Sequence, residues 1–431
     1  MVLFWHRRDL RIADNAGLFK ALKENQDVQP IFIFDQTILS ELPKNDQRVR
    51  FIHQEIQRLK REYQALGTDL LVFEGTPIEL IPALAKDFRA EKVYTNRDYE
   101  PYALERDRTI HAELEALNIP FIGTKDHVIF EKNEVLKDDG LPYTIFTPYA
   151  RKWKSKLTDF YLSSYPTEKY QDHFIQRNQP EKLISLEDLG FEDVAIHPIP
   201  ERQIRAEIVA QYHERRDFPN LSATSKLSIH LRFGTISIRE LARFAQKKNE
   251  TYLNELIWRD FYQMIIFHFP HSVQGSFKKQ YDKIRWEENE AQFKAWCEGQ
   301  TGYPLVDAGM RELNETGFMH NRVRMVVASF LTKHLLIDWR KGEAYFAEKL
   351  LDFELASNIG GWQWAAGCGC DAAPYFRVFN PTAQQEKFDK QKQYIQKWVP
   401  EYGTPAYPKP IIDHAFARDR VLTRFKQALN E

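Results

Sequence analysis

PIFIFD (30–35), RVRFIHQEIQRLKREYQAL (48–66) and DLLVFEG (69–75) follow one another, and their succession decides how the first third of the chain is read. The outer two are short, apolar and rich in β-branched and aromatic residues, as strands are. The middle one spaces its apolar residues near the 3.6-residue period of a helix. Strand-type runs recur on either side at VLFW (2–5), KVYTNRD (92–98) and IPFIG (119–123). This alternation predicts an α/β domain over residues 1–130, built on a doubly wound parallel sheet of five strands. Such sheets take ligands at the C-terminal ends of their strands. The dinucleotide fingerprint GxGxxG is missing there. The charged turn HRRDLRIADN (6–15) stands in its place, readable either as a ligand turn or as a salt-bridged surface turn.

Further along, KNEVLKDDGLPYTIFTPYARKW (132–153) and SSYPTEKYQDHFIQRNQPEK (163–182) break the rhythm with polar and proline-containing sequence. Residues 131–200 are therefore expected to be an inter-domain linker. From residue 201 to 431 the pattern is helical, with apolar residues three and four apart in ERQIRAEIVAQYHERR, LNELIWRDFYQMIIF, RVRMVVASFLTKHLLIDW and EAYFAEKLL. An all-α C-terminal domain is predicted.

The 431 residues carry 60 Lys and Arg against 61 Asp and Glu, a net charge of −1. That balance excludes a polybasic protein but leaves room for a local basic groove. Cys297, Cys368 and Cys370 are too few for a disulfide framework or an all-cysteine metal centre, so no metal is expected, and a reducing compartment is. Apolar runs such as IFIF (31–34) and MII (264–266) fall far short of the roughly 20 residues that cross a bilayer. MVLFWHRRDLR lacks the form of a secretory leader. The expectation is a cytoplasmic monomer without membrane contact. Aromatic residues, at 13%, call for an explanation.

Three helical segments carry unusual chemistry. Glu255, Trp258, Arg259 and Tyr262 fall at i, i+3, i+4 and i+7 and so share a face. That set suits stacking and polar edge contacts with a planar ligand such as a nucleobase; the plain alternative is an amphipathic helix with one Glu–Arg pair. A helix over 321–339 places Arg322 and Met325 on one flank and Asn321 and Arg324 on another. Met325, taken alone, reads more readily as core filler than as a contact, whereas Arg322 at a helix N-terminus opposes the macrodipole and hints at an external anion. LLDFELASNIGGWQWAAGCGCDAAPYFRVFNP (350–381) sets Asp352 and Glu354 ahead of a Gly-Gly pair and two tryptophans. Glycines allow close backbone approach to a ligand, and tryptophans can line its walls. Cys368 and Cys370 read there as small buried thiols. Thr224, Ser225 and Ser228 precede a helical pattern and fit either a phosphate cradle or an N-cap.

HNRVRM (320–325), LNELIWRDFY (253–262), QTGYPLVDAGMRELN (300–314) and GGWQWAAGCGCDAAPYFRVFNP (360–381) resemble the flavin-domain signatures of the photolyase/cryptochrome family. VLFWHRRDLRIADN (2–15) is similar to that family's opening strand and turn. The resemblance spans essentially the whole chain and is greatest to class I-type cyclobutane pyrimidine dimer photolyases. HNRVRM lacks the paired histidines of (6-4) photolyases, and no long tail of the kind that carries cryptochrome signalling follows QALNE (427–431). The resemblance implies FAD as cofactor, UV-damaged DNA as partner, and light-driven electron transfer from reduced FAD to a flipped-out dimer. A cryptochrome-type photoreceptor and a (6-4) photolyase are the alternatives.

Carried over by motif, Tyr212, Thr224, Ser225, Leu227 and Ser228 would line the flavin's phosphates and ribityl chain. Asn321, Arg324, Asp352, Glu354 and Asn358 would surround the isoalloxazine, with Asn358 at its N5. Glu255, Trp258, Asn321, Arg322, Met325 and Trp364 would contact the dimer, joined by Arg259 and Tyr262 on the same helix and by Arg216 and Arg377 on the DNA-facing rim. Trp362, Trp339 and Trp286 would form the chain that photoreduces the flavin. Folate-antenna relatives place Asn-Glu where RDYEPYALERD (97–107) has Tyr102-Ala103. That departure speaks against a folate antenna and leaves a deazaflavin, another flavin or no antenna open.

Overall fold

In the computed structural model, which describes residues 1–430, the five apolar runs form β1 (Val2–His6), β2 (Val28–Asp35), β3 (Leu71–Gly75), β4 (Lys92–Asn96) and β5 (Phe121–Thr124). Glu431, the end of the QALNE (427–431) terminus, lies outside the described residues. The strands are parallel in the order β3-β2-β1-β4-β5. In the central strand β1, Val2 is paired with Val28 of β2 on one side and Lys92 of β4 on the other. Every residue of β1 and β2 is buried. A parallel sheet covered on both faces demands such continuous apolar runs in place of alternation. The 48–66 pattern forms the helix Gln47–Ala65, started by Asp46, whose carboxylate accepts the Arg48 N–H at 2.8 Å.

The turn after β1 is salt-bridged, and its Asp9, Arg11 and Asp14 are buried where a surface turn would leave them in solvent. Arg11 donates to both oxygens of Asp126 (2.9 and 2.7 Å), and Arg239 donates to Asp126 (2.8 Å) and Asp14 (2.9 Å). Burial alone would raise the Asp126 carboxyl, but Arg11 and Arg239 outweigh it and hold the group well below the usual range. Arg7, Arg8, Asp9, Asn96, Asp98 and His127 line a cleft of about 200 Å³ at the C-terminal ends of β1 and β4.

Two units emerge from the contacts, and the chain crosses between them repeatedly. The α/β unit comprises Met1–Glu134, Trp153–Gln203 and Lys226–Lys247; the helical unit comprises Val135–Lys152, Ile204–Ser225 and the chain from Lys248. The 131–200 stretch expected to be a linker is thus divided between them, and its 153–200 part is integral to the α/β unit. Trp153 is fully buried and packs edge-on against Phe130 at 5.3 Å. Phe174 forms a parallel bridge with Val28 of β2. The helix Ile238–Lys248 joins the same unit through Arg239. Long-range ion pairs and ring contacts of this kind leave no periodic mark in the sequence.

In the helical unit, a core centred on Trp296, Phe330, Trp339 and Trp362 is covered by helices that include Glu250–His268, Asn321–Ser329, Trp339–Lys349 and Leu355–Ala366. The helix expected over 321–339 is broken: the α-helix ends at Ser329, a π-turn follows at Phe330–His334, and Leu336 takes φ 56°. Asp338 then caps the next helix by accepting the Arg340 N–H at 3.0 Å. Among the described residues, no helix is long and apolar enough to cross a membrane.

Candidate functional site

The helix Glu250–His268 begins at Asn249, whose side chain accepts the Tyr252 N–H at 3.1 Å. It presents Trp258 and Tyr262 to a solvent-open cavity that is also lined by Gly360 and Trp364 of the helix Leu355–Ala366 and by Cys370 and Asp371 beyond it. Two tryptophans, brought from two helices, therefore wall one cavity. The two glycines of GGWQW differ in role. A Cβ on Gly360 would stand 2.3 Å from the Tyr262 ring, so this glycine is required by helix packing. Gly361 has nothing within 4 Å. Cys368 and Cys370 are thiols pushed up to about 12 by burial, protonated at neutral pH.

The polar members of the Glu255 face go to different partners, against the plain alternative of a Glu–Arg pair within that helix. Glu255 pairs with Arg216, and Arg259 donates to Glu354 at 2.8 Å. Burial raises the Glu255 carboxyl, and Arg216 only partly counters this. Arg216 also lies over the ring of Tyr212 at 5.7 Å, and Tyr212 meets Tyr252 edge-on at 5.0 Å. The Tyr252 hydroxyl donates to Ser225 Oγ at 2.7 Å. Thr224 and Ser225 belong to the helical unit, whereas Leu227 and Ser228 belong to the α/β unit. The helix Ser228–Arg232 has no side-chain cap, so the N-cap reading of these hydroxyls fails.

The helix Asn321–Ser329 starts at His320, whose Nδ1 accepts the Arg322 N–H at 3.2 Å. Its ring is mostly buried, which lowers it to about 4 and keeps it neutral at pH 7. Arg322 does not wait for an external anion: Asp217 accepts its Nη2 at 2.8 Å, and its guanidinium lies 4.4 Å from the Phe388 ring centre. Asn321 is exposed and Met325 half-buried. Arg324 forks onto both oxygens of Asp352 at 3.1 and 2.9 Å.

Asn358 is set by a residue that sequence spacing did not reveal. Its Nδ2 donates to Glu343 Oε1 at 2.8 Å and to the Glu343 carbonyl at 3.1 Å, which turns its carbonyl oxygen away from Glu343. Glu343 is raised by burial, the hydrogen bond from Asn358 opposing this in part. Trp362 is buried against Phe346 (4.9 Å) and Trp296 (6.0 Å), and Gly342, on the helix that Trp339 opens, lies against its indole. Trp286 is half-buried beside Phe425, with ring centres 6.1 Å apart. Arg377 is exposed, its guanidinium 5.5 Å from the Phe379 ring centre.

Arg324 with Asp352, the free carbonyl edge of Asn358 and the Arg259–Glu354 pair supply polar donors and acceptors of the kind a planar heteroaromatic ring needs at its edges. The donor set fits a flavin. A family model described as the FAD binding domain of DNA photolyase matches residues 252–404, which contain all of these groups. This half of the molecule is thus a flavin-binding helical domain with FAD as its cofactor. A second model, described as DNA photolyase, matches residues 2–169. The deoxyribodipyrimidine photo-lyase of Synechococcus sp. is 37% identical, the match covering 99% of this chain and 96% of that one. A bacterial class III photolyase from Agrobacterium tumefaciens superposes with a TM-score of 0.87 at 31% identity, over 100% of this chain and 98% of that one. The cryptochrome of Synechocystis sp. gives 0.85 at 27% identity, over 98% of each chain. The chain belongs to the DNA photolyase family.

Proposed function

We propose that the protein repairs cyclobutane pyrimidine dimers in DNA, in preference to (6-4) photoproducts and to signalling without repair. The observation that carries the reading is the cavity walled by both Trp258 and Trp364. Two indoles around one opening suit two joined pyrimidines, since each base offers a face to stack on. Enzymes that act on a base take it out of the duplex stack into such a pocket. When bound and reduced, FAD would lend a light-excited electron that opens the cyclobutane ring and would take it back once the two bases are restored.

This chain's own residues bind and orient. Trp258 and Trp364 take the base faces, and Glu255, held by Arg216, offers a carboxyl edge to a pyrimidine's polar groups. Asn321 and Met325 complete the contact surface. Arg322 and Arg377 stand where a rim meets phosphates, Arg322 exchanging Asp217 for a backbone oxygen. Arg324, Asp352, Glu354 and Asn358 hold the ring edges of the cofactor, and Trp362, Trp339 and Trp286 relay electrons to it.

His320 favours dimers over (6-4) photoproducts. A neutral imidazole whose Nδ1 is committed to a helix cap is a poor proton donor, and ring opening by electron transfer alone needs none. The test is a parallel digestion. Reduced protein is illuminated with oligonucleotides carrying either one cis-syn dimer or one (6-4) photoproduct. Loss of the dimer alone is expected; loss of the (6-4) lesion, or persistence of both with FAD bound, refutes the proposal.

A further inference from the structure

Phe146 lies in the segment 132–153, whose sequence suggests only a connection. It opens the helix Phe146–Lys156, and its ring is parallel to the Trp258 indole, with 3.7 Å between centroids and 4° between planes. At that spacing the two rings are in full van der Waals contact. Phe146 is itself anchored: its backbone N–H donates to Asp371 Oδ2 at 3.0 Å. One turn on, Tyr149 packs against Phe261 at 5.1 Å, fixing the helix on the neighbour of Trp258 from a second side. Trp258 and Asp371 line the cavity, whereas Phe146 packs on the indole without being part of that lining.

We infer that Phe146 is a positioning residue for damaged-base recognition. Its ring clamps one face of Trp258 so that the indole is held at the angle needed to receive a flipped pyrimidine on the cavity side, and Asp371 latches the clamp. This rests on the dimer-repair reading above. The physical reason is preorganisation. An unclamped tryptophan turns about two side-chain torsions and loses that freedom when a base stacks on it, whereas a clamped one has already lost it on folding. Undamaged duplex inserts no base in the cavity and gains nothing from the clamp. The clamp therefore sharpens discrimination between damaged and undamaged DNA.

The test uses Phe146→Leu, which keeps apolar bulk but removes the ring face, and Phe146→Tyr, which keeps the ring. Affinities for a single-dimer oligonucleotide and for undamaged duplex are measured in the dark on FAD-loaded protein. Phe146→Leu should weaken dimer binding about 2- to 12-fold, the range of an aromatic pair beyond its area, with undamaged binding and FAD content unchanged. Phe146→Tyr should bind as the parent does, and Phe146→Leu should add no loss to Trp258→Ala. Equal losses on both DNAs, or an additive loss on Trp258→Ala, would make Phe146 a core residue and overturn the inference. Tighter dimer binding by Phe146→Leu would overturn it too, since the ring would then occupy the seat of the base. If Trp258→Ala itself costs no dimer affinity, the dimer reading of this wall fails. The clamp is then still read from the near-ultraviolet circular dichroism of the indole: a signal lost in both Trp258→Ala and Phe146→Leu confirms it, and one kept in Phe146→Leu refutes it.

Discussion

Gly360 and Gly361 are neighbours in sequence, yet alanine at each should change stability in opposite directions. Both lie inside the helix Leu355–Ala366, where alanine is favoured over glycine by about 1 kcal/mol. At Gly361 a methyl group meets no protein atom within 4 Å, so that gain should be realised. At Gly360 the methyl carbon would sit 2.3 Å from Cδ1 and Cε1 of Tyr262 and 2.8 Å from its Cγ. Carbon atoms rest at roughly 3.5–4.0 Å, so the ring or one of the two helices must move by more than 1 Å. Overpacking of this kind costs about 1–3 kcal/mol, and the closeness of the approach places it at the upper end. After the helix gain is subtracted, Gly360→Ala should lose about 1–2 kcal/mol while Gly361→Ala gains up to about 1 kcal/mol. Urea unfolding of the two FAD-loaded variants, followed by tryptophan fluorescence, measures both. Because Tyr262 lines the cavity, Gly360→Ala should also weaken dimer binding. Equal destabilisation by both variants would contradict this, since Gly361 would then be as closely packed as Gly360.

Other expectations follow from single groups. Lys333 is almost fully buried, which lowers it to about 7, with its Nζ donating to the Ala366 carbonyl at 2.8 Å. A base depressed on folding adds stability that is full above its unfolded value and is lost as pH falls through the folded one. Stability should therefore climb by about 2–3 kcal/mol between pH 7 and 9 in the parent and not in Lys333→Met; parallel urea titrations at the two pH values decide, and an identical slope in both proteins would contradict it. Glu343→Leu should free the Asn358 amide to turn and so shift the visible spectrum and midpoint potential of the bound flavin, whereas Glu343→Gln keeps an acceptor and should not; equal behaviour of the two would remove Glu343 from the site. Trp362→Phe should abolish photoreduction of oxidised protein under blue light with a thiol reductant while sparing FAD binding and repair by chemically reduced protein. An unchanged bleaching rate would return Trp362 to the core.

How far the sequence could be read follows from the range of the interactions involved. The strands were legible because a buried parallel sheet needs uninterrupted apolar runs, and VLFW, PIFIFD, DLLVFEG, KVYTNRD and IPFIG supply them within a few residues. The helix over 321–339 was misjudged because its apolar stripe runs on past the break, whose signal is the positive φ of Leu336. Trp153 reaches Phe130 across 23 residues and Phe174 reaches the sheet at Val28 across 146, contacts that no local pattern encodes. Around the cavity, Trp258, Trp364, Arg324 and Asp352 stand out in the sequence because they sit in dense motifs. Glu343, Asp217 and Phe146 were missed because each is an ordinary residue whose meaning comes from one distant partner: Asn358, Arg322 and Trp258 respectively.

Light-driven reversal of the cyclobutane bond is followed most directly by mixing chemically reduced, FAD-loaded protein with a dimer-containing oligothymidine and recording the ultraviolet absorbance that returns as the C5=C6 double bonds re-form. Absorbance should rise while blue light is on, halt within the response time of the instrument when it is off, and not rise without protein. A flat trace under illumination, with FAD bound, reduced and unbleached throughout, would contradict it.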